Sequence, residues 1–320
     1  MKTEPMKTEP MNTGLIGHAR VKAQLAQQHA NAILLTGPAR VGRRVLAKWY
    51  AQLENCRSRS DEPCGICPSC QTFAAGTSSD LLEISPKEET STGKKARSSI
   101  IPISAISAGH DKAKEYETHV LEWLETGPRA RAKFVLIDGA EFMNEAAANA
   151  LLKTVEEPPH GSRFVFIAED ASAVIPTIVS RSIQIRVPPV GALEMERALL
   201  NLESELDPDL LAFAAGRPGL LLERDRVRAN LETAQKFVEA IRNDMLDALT
   251  VADQLEKRWE RDLSPEALRF VLRNQADTAR VGADAALERT IESLERYASP
   301  ALAFAVMALD WRRAFGSSGR

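Results

Sequence analysis

Residues 133–159, KFVLIDGAEFMNEAAANALLKTVEEPP, restrict what this chain can fold into more than any other stretch. Four apolar residues in a row, Phe134 to Ile137, lead into Asp138. A short unbroken apolar run fits a strand buried on both faces, as in a parallel sheet. An acidic residue at the C-terminal edge of such a strand lies where open α/β sheets bind ligands. Asn144 is placed to cap a helix over 146–157, with Leu151, Leu152 and Val155 on one face and Pro158-Pro159 to stop it. By themselves, a strand, an acid and a helix define an α/β domain and nothing narrower.

A second apolar strand, 32–36, follows a helical pattern over 15–30 and runs straight into GPARVGRR, 37–44, and another helical segment. Strand, glycine loop and helix in that order is the setting of a phosphate-binding P-loop. The pattern G-x-x-x-x-G-K-[ST] finds its glycines at Gly37 and Gly42. Arg43 stands at the lysine position, where it keeps the charge on a bulkier, forked group. Arg44 stands where a hydroxyl would ligate Mg²⁺, and a guanidinium cannot do so. The loop could merely turn the chain, or serve a working ATP site. The residues favour a third reading, a P-loop fold whose site has lost hydrolysis.

All four cysteines, Cys56, Cys64, Cys67 and Cys70, fall within fifteen positions. Thiolates this close can converge on one tetrahedral Zn²⁺, and four of them fill the tetrahedron, so the metal is expected to be structural. Two disulfides are the alternative, but no export signal precedes them. A catalytic cysteine finds no supporting His–carboxylate pattern nearby, and a lone nucleophile would not need three companions.

Further strands are expected at 80–84 and 163–168, a helix at 111–125 and a solvated loop at 85–99. Arg129, Arg131 and Lys133 read as a basic loop with a possible phosphate contact. From Val190 onward the pattern is helical, with a turn at 216–219. Leu231, Ala234, Phe237, Val238, Ile241, Met245 and Leu249 mark one apolar stripe. Ser264-Pro265 and Ser299-Pro300 read as N-caps followed by proline, and the last helix, apolar nearly all round, is expected to be central.

The string NALLKTVEEPP, 149–159, resembles the helix after the Walker B strand in bacterial clamp-loader subunits, the AAA+ proteins that load sliding clamps for DNA polymerase III. VIPTIVSRS, 174–182, resembles that family's PTIxSRC motif, with Ser182 for the cysteine. The resemblance covers residues 14–225 well, and the rest only as helical and of suitable length. It implies a flexible tail at 1–13, then an AAA+ P-loop domain with a parallel sheet over 14–189, carrying the four-cysteine module at 56–70. A small helical lid over 190–227 and an all-helical collar over 228–320 would follow. Arg217 lies near the family's sensor-2 region, though Pro218 beside it speaks against that role.

The resemblance also assigns roles. Arg181, beside Ser180, matches an arginine finger acting in trans on a neighbour's ATP; by itself it would read as a helix-end arginine paired with a carboxylate. Gly37, Gly42, Arg43 and Asp138 would form a degenerate nucleotide site. An active Walker B pair has glutamate after the aspartate, and here that residue is Gly139; Glu141 is expected to point elsewhere. The sensor-1 strand ends Ala168-Glu169-Asp170, without the family's Thr or Asn. Three catalytic elements are therefore missing, and hydrolysis of ATP by this chain is not expected. The implied partners are the motor subunits (tau/gamma) and the delta subunit in a heteropentamer, and through it the sliding clamp and primed DNA. The implied location is the cytoplasm, at the nucleoid-associated replisome.

Two rival readings remain. One is an active tau/gamma-like clamp-loader ATPase, against which Arg44 and Gly139 speak. The other is a zinc-dependent DNA-binding module in which Arg57 and Arg59 assist the cysteines. A net charge of −3 gives that reading no global support. No apolar run approaches the ~20 residues of a membrane span.

Overall fold

The computed structural model, which describes residues 15–58, 60–86, 100–110, 116–202, 206–296 and 298–316, divides into two compact units. One comprises 1–204 with 215–219, the other 205–214 with 220–320. The expected tail and most of the expected 85–99 loop lie outside the described residues.

The first unit runs α1 (Ala19–Ala26), β1 (Ala32–Thr36), α2 (Arg43–Asn55), α3 (Pro68–Ala74), β2 (Leu81–Ile84), α4 (Ile103–Ile106), α5 (Val120–Leu124), β3 (Phe134–Asp138), α6 (Glu145–Glu156), β4 (Arg163–Ala168), α7 (Pro176–Val179), β5 (Ile183–Arg186) and α8 (Ala192–Leu202). All five strands are parallel, in the order β2-β3-β4-β1-β5. Side chains alternate across the sheet, as a pleat requires. Ile33, Leu35, Phe134, Leu136, Val165 and Ile167 pack beneath α1 and α2. Leu34, Val135, Ile137, Phe164 and Phe166 pack on the other face, against α4, α5, α6 and α7. Both faces are thus covered, which is why these strands read as unbroken apolar runs.

Register brings the strand ends together. Thr36 lies opposite Ala168, and Asp138 opposite Ile167. The ends of β1, β3 and β4 therefore finish at one sheet edge, where α/β folds hold ligands.

Several expectations need correcting. The strand β5 was not anticipated, because only Ile185 of its four residues is buried; an edge strand keeps no apolar run. The first helix is shorter than 15–30, since Gly17 and His18 take left-handed conformations just before it. Of the 111–125 helix, Val120–Leu124 is present and 111–115 lies outside the described residues. Lys133 is no surface loop residue: it is 4% exposed, and its ammonium donates to Trp123 O and Thr126 Oγ1, each at 2.5 Å.

The second unit contains α9 (Pro208–Ala214) and most of the short α10 (Pro218–Leu222), then α11 (Arg224–Arg242), α12 (Met245–Lys257), α13 (Ser264–Leu272), α14 (Asp277–Glu295) and α15 (Pro300–Gly316). The apolar stripe of α11 is buried through Ile241. It does not continue to Met245 and Leu249, because Asp244 caps a new helix through Asp247 N, 2.8 Å away, and both residues are exposed. Phe237 meets Trp311 edge to face at 5.0 Å, an arrangement that adds about 0.5–1.5 kcal/mol to burial. Only one face of α15 is buried, since Leu302 and Val306 are exposed. Nor is Ser264 an N-cap: its hydroxyl accepts from Glu260 N at 2.9 Å and donates to Asn230 Oδ1 at 2.7 Å. The turn expected at 216–219 becomes helical at Pro218, which suits a first helical position. Among the described residues no helix is long and apolar enough to cross a membrane.

Candidate nucleotide and metal sites

The loop between β1 and α2 is held open at neither end. Gly37 donates its N–H to Glu169 O at 3.1 Å. It has φ +151°, and a Cβ there would lie 2.2 Å from Val187 O, so only glycine fits. Val41 is fully buried and its carbonyl accepts from His18 Nε2 at 2.7 Å. The Arg40 carbonyl accepts from Gly219 N at 2.9 Å. Of the loop's backbone donors, the Gly37 N–H is thus engaged by the protein itself.

Arg43 and Arg44 open α2, with Gly42 as the left-handed residue before them. Burial pulls the Arg43 guanidinium below its ordinary pKa, opposed by the charges of Glu169, Glu141 and Asp138. Its Nη1 is buried without a partner among the described residues, as is Glu141 Oε2. Contrary to expectation, Glu141 does not turn away from this edge: its Oε1 accepts from Glu169 N at 3.1 Å. Arg44 bonds Glu83 Oε2 through Nε at 2.8 Å and Nη2 at 2.6 Å, and its Nη1 lies 3.8 Å from Asp138 Oδ2. Lys48, four residues on and so on the same helix face, reaches Glu83 Oε1 at 2.7 Å. Burial raises the Asp138 carboxyl above its ordinary value, opposed by Arg44 and Arg43. The Arg44 guanidinium thus lies between the Glu83 and Asp138 carboxylates.

Sequence reading missed Glu83 and Lys48. The signal was present: Glu83 is a lone carboxylate within the apolar strand LLEI, and such a charge needs partners. Burial works to raise the Glu83 carboxyl, but hydrogen bonds from Lys48 and Arg44 outweigh it and hold it below its ordinary value. A depressed carboxyl contributes stability that is complete above its unfolded pKa, about 4.3, and is lost as pH falls through the folded one. Glu83→Gln is expected to cost about 1 kcal/mol at pH 7, screened by solvent at its half-exposed partners. Urea midpoints compared across pH should show the difference closing below about pH 4.

Gly139 follows Asp138 with φ +88°, and a Cβ would lie 2.7 Å from Phe142 Cδ2. A side chain here meets both backbone strain and a ring. Gly139→Glu, which writes in the missing carboxylate, is expected to destabilise by about 2–4 kcal/mol and leave ATP turnover at background. Gained turnover would refute the steric reading. At the end of β4, Asp170 accepts from Ser172 N at 2.8 Å, and this bond lowers its pKa; it is a turn cap.

Arg181 lies away from these groups, just past α7. Its Nε donates to Glu156 Oε1 at 2.5 Å and its Nη1 to Thr177 O at 3.1 Å. Ser180 also donates to Thr177 O, at 3.2 Å. Arg181 is one-third exposed at its side chain. The carboxylate pairing weighed against the finger role is therefore present.

The sulfurs of Cys56, Cys64, Cys67 and Cys70 all lie within 4.8 Å of one another. None forms a disulfide, and Cys64 Sγ is 4.0 Å from Cys70 Sγ, far beyond a bonding distance of about 2 Å. Tetrahedral Zn²⁺ with bonds of about 2.3 Å would place sulfurs about 3.8 Å apart, so slight contraction suffices. Backbone N–H groups of Cys64, Cys67 and Cys70 point at Cys56, Cys64 and Cys67 sulfurs, at 3.3–3.5 Å. Burial opposes ionisation of Cys67, but backbone bonds from Arg57 and Cys70 bring it down to about 6. Four converging thiols with donors on three of them could hold a metal ion.

A family model described as "DNA polymerase III, delta subunit" matches residues 18–191, more than half of the chain. DNA polymerase III subunit delta' of Pseudomonas aeruginosa is 35% identical over 237 residues, covering 72% of this chain and 66% of that protein. DNA polymerase III subunit tau of Escherichia coli is 25% identical over 244 residues, covering 76% of this chain and 32% of that protein. The chain thus spans less than two thirds of these relatives' lengths. A DNA polymerase III gamma subunit-related protein from Thermotoga maritima superposes with TM-score 0.51 at 16% identity, covering 92% of this chain and 98% of that one. That likeness concerns the fold, an AAA+ α/β domain with a helical C-terminal part.

Proposed function

Because this chain belongs to the DNA polymerase III delta-subunit family, we propose that it is a delta-prime-like clamp-loader subunit that does not hydrolyse ATP. The single observation that carries the reading is Arg44, whose guanidinium bridges Glu83 and Asp138 where a nucleotide's Mg²⁺ would stand. Gly139 supports it, since a glutamate in its left-handed conformation would be strained and would crowd the Phe142 ring. The subunit would act as a fixed member of a heteropentamer with tau/gamma motor subunits and the delta subunit. Through that ring it would help place the sliding clamp on primed DNA, in the cytoplasm at the nucleoid-associated replisome.

Arg181 is the proposed finger. It is always charged, its planar fork can bridge phosphoryl oxygens, and its partner Glu156 is half exposed, so the pair is readily exchanged for a more highly charged phosphate. The base, lid and collar are assigned to 14–189, 190–227 and 228–320. Cys56, Cys64, Cys67 and Cys70 would hold one structural Zn²⁺, which would cross-link the 56–70 segment and leave no position open for water.

The test is the purified chain with ATP and Mg²⁺. A binding site of 10 μM affinity would add about 2.7 kcal/mol of stability at 1 mM nucleotide. The expected result is no rise in Tm and no turnover. Mg²⁺-dependent turnover by the isolated chain would overturn the proposal in favour of an active tau/gamma-like ATPase.

A further inference from the structure

We propose that a basic cleft beside the four-cysteine module is a contact site for the phosphates of single-stranded nucleic acid. The cleft, about 460 Å³, lies between Arg57, Pro68 and Ser69 on one side and the 77–80 and 129–131 segments on the other. It is distinct from the P-loop edge and from Arg181, and stands independently of the finger reading. Three arginines, Arg57, Arg129 and Arg131, line it, together with several Ser and Thr side chains. All three arginines are exposed, and among the described residues none forms an ion pair.

The wall carrying two of them is held rigidly. Asp80, 4% exposed, accepts from Arg129 N at 2.8 Å and Ala130 N at 2.7 Å. Asn55, 1% exposed, accepts from Arg131 N at 2.9 Å and Ala132 N at 3.0 Å. The one carboxylate lining the cleft is thus spent on two backbone donors, and Arg129 and Arg131 stand on a fixed stretch of backbone, with Arg131 Nη1 donating to Glu54 O at 3.4 Å. Preformed donors lose less freedom on binding than mobile ones.

The lining selects the ligand. Guanidinium and hydroxyl groups match phosphate oxygens. No aromatic residue lines the cleft for base stacking, and its apolar lining is Pro68 and Ala130, which leaves no pocket for a peptide side chain. The contact should therefore follow the backbone and ignore sequence.

The experiment titrates a fluorescein-labelled single-stranded 20-mer with the full chain by anisotropy, from 50 to 300 mM NaCl. Wild type is expected to show affinity falling with log salt, equally for oligo-dT and mixed sequence. Each neutralised single-strand phosphate contributes a slope of about 0.7, so Arg57→Ala/Arg129→Ala/Arg131→Ala should flatten the slope by about 2 and lose tenfold or more in affinity. The Arg129→Ala/Arg131→Ala pair, which leaves the cysteine segment untouched, should show about two thirds of the change in slope. Both variants are checked for unchanged Tm and metal content. No salt-dependent binding by wild type, or an unaltered slope in the folded double variant, overturns the proposal. Equal displacement of the oligonucleotide by polyglutamate of matched charge overturns the nucleic-acid assignment in favour of an acidic peptide.

Discussion

Arg181→Ala, reconstituted with motor and delta subunits, is expected to lower ATP turnover at the one site it serves by about a thousandfold, the lower end of what a finger supplied in trans contributes. Total turnover would then fall toward the sum of the remaining sites, so single-site measurements or mixed rings with inactive motors are the proper readout. The isolated chain should barely notice: the Arg181–Glu156 pair is partly exposed at both ends, and such pairs contribute at most about 1 kcal/mol. Arg181→Lys should rescue little, because an ammonium lacks the planar fork. Undiminished turnover at the served site would sink the finger role while leaving the fold and family untouched.

Cys67→Ser/Cys70→Ser is expected to take metal content from one ion per chain to none, read by native mass spectrometry. Structural zinc binds small peptides with about 10–16 kcal/mol, but little of that reaches the sheet. The module couples to α2 through limited packing, including Gln52 Nε2 donating to Cys70 O at 3.5 Å. The main melting transition should drop by a few degrees, and trypsin should cut at Arg57 far faster than in wild type. A wild-type chain purified without any metal would refute the structural-zinc assignment.

How far the sequence carried differs by position, for physical reasons. The strands 32–36, 134–138 and 163–168 were legible because both faces of a parallel strand are buried and no polar residue interrupts the pattern. The cysteines were legible because their spacing alone allows convergence. Ile183–Arg186 was not legible, since an edge strand with one buried residue looks like a loop. Lys133 misled because its charge predicts water, whereas a backbone carbonyl and a threonine hydroxyl solvate it inside the protein. Arg44 was read as unable to bind a cation. That it neutralises Asp138 and Glu83 could not be read, because those carboxylates lie 94 and 39 positions further along the chain and only the sheet assembles them.

That ion pair has a consequence for timing. A ligand from solution comes and goes with its supply, but a guanidinium on the chain's own backbone is present at a fixed local concentration whatever that supply. The conformation of this sheet edge should therefore be indifferent to whether the cell is rich in ATP or in ADP. Under the proposed clamp-loader reading, such a subunit would keep its shape while neighbours that respond to that ratio move against it.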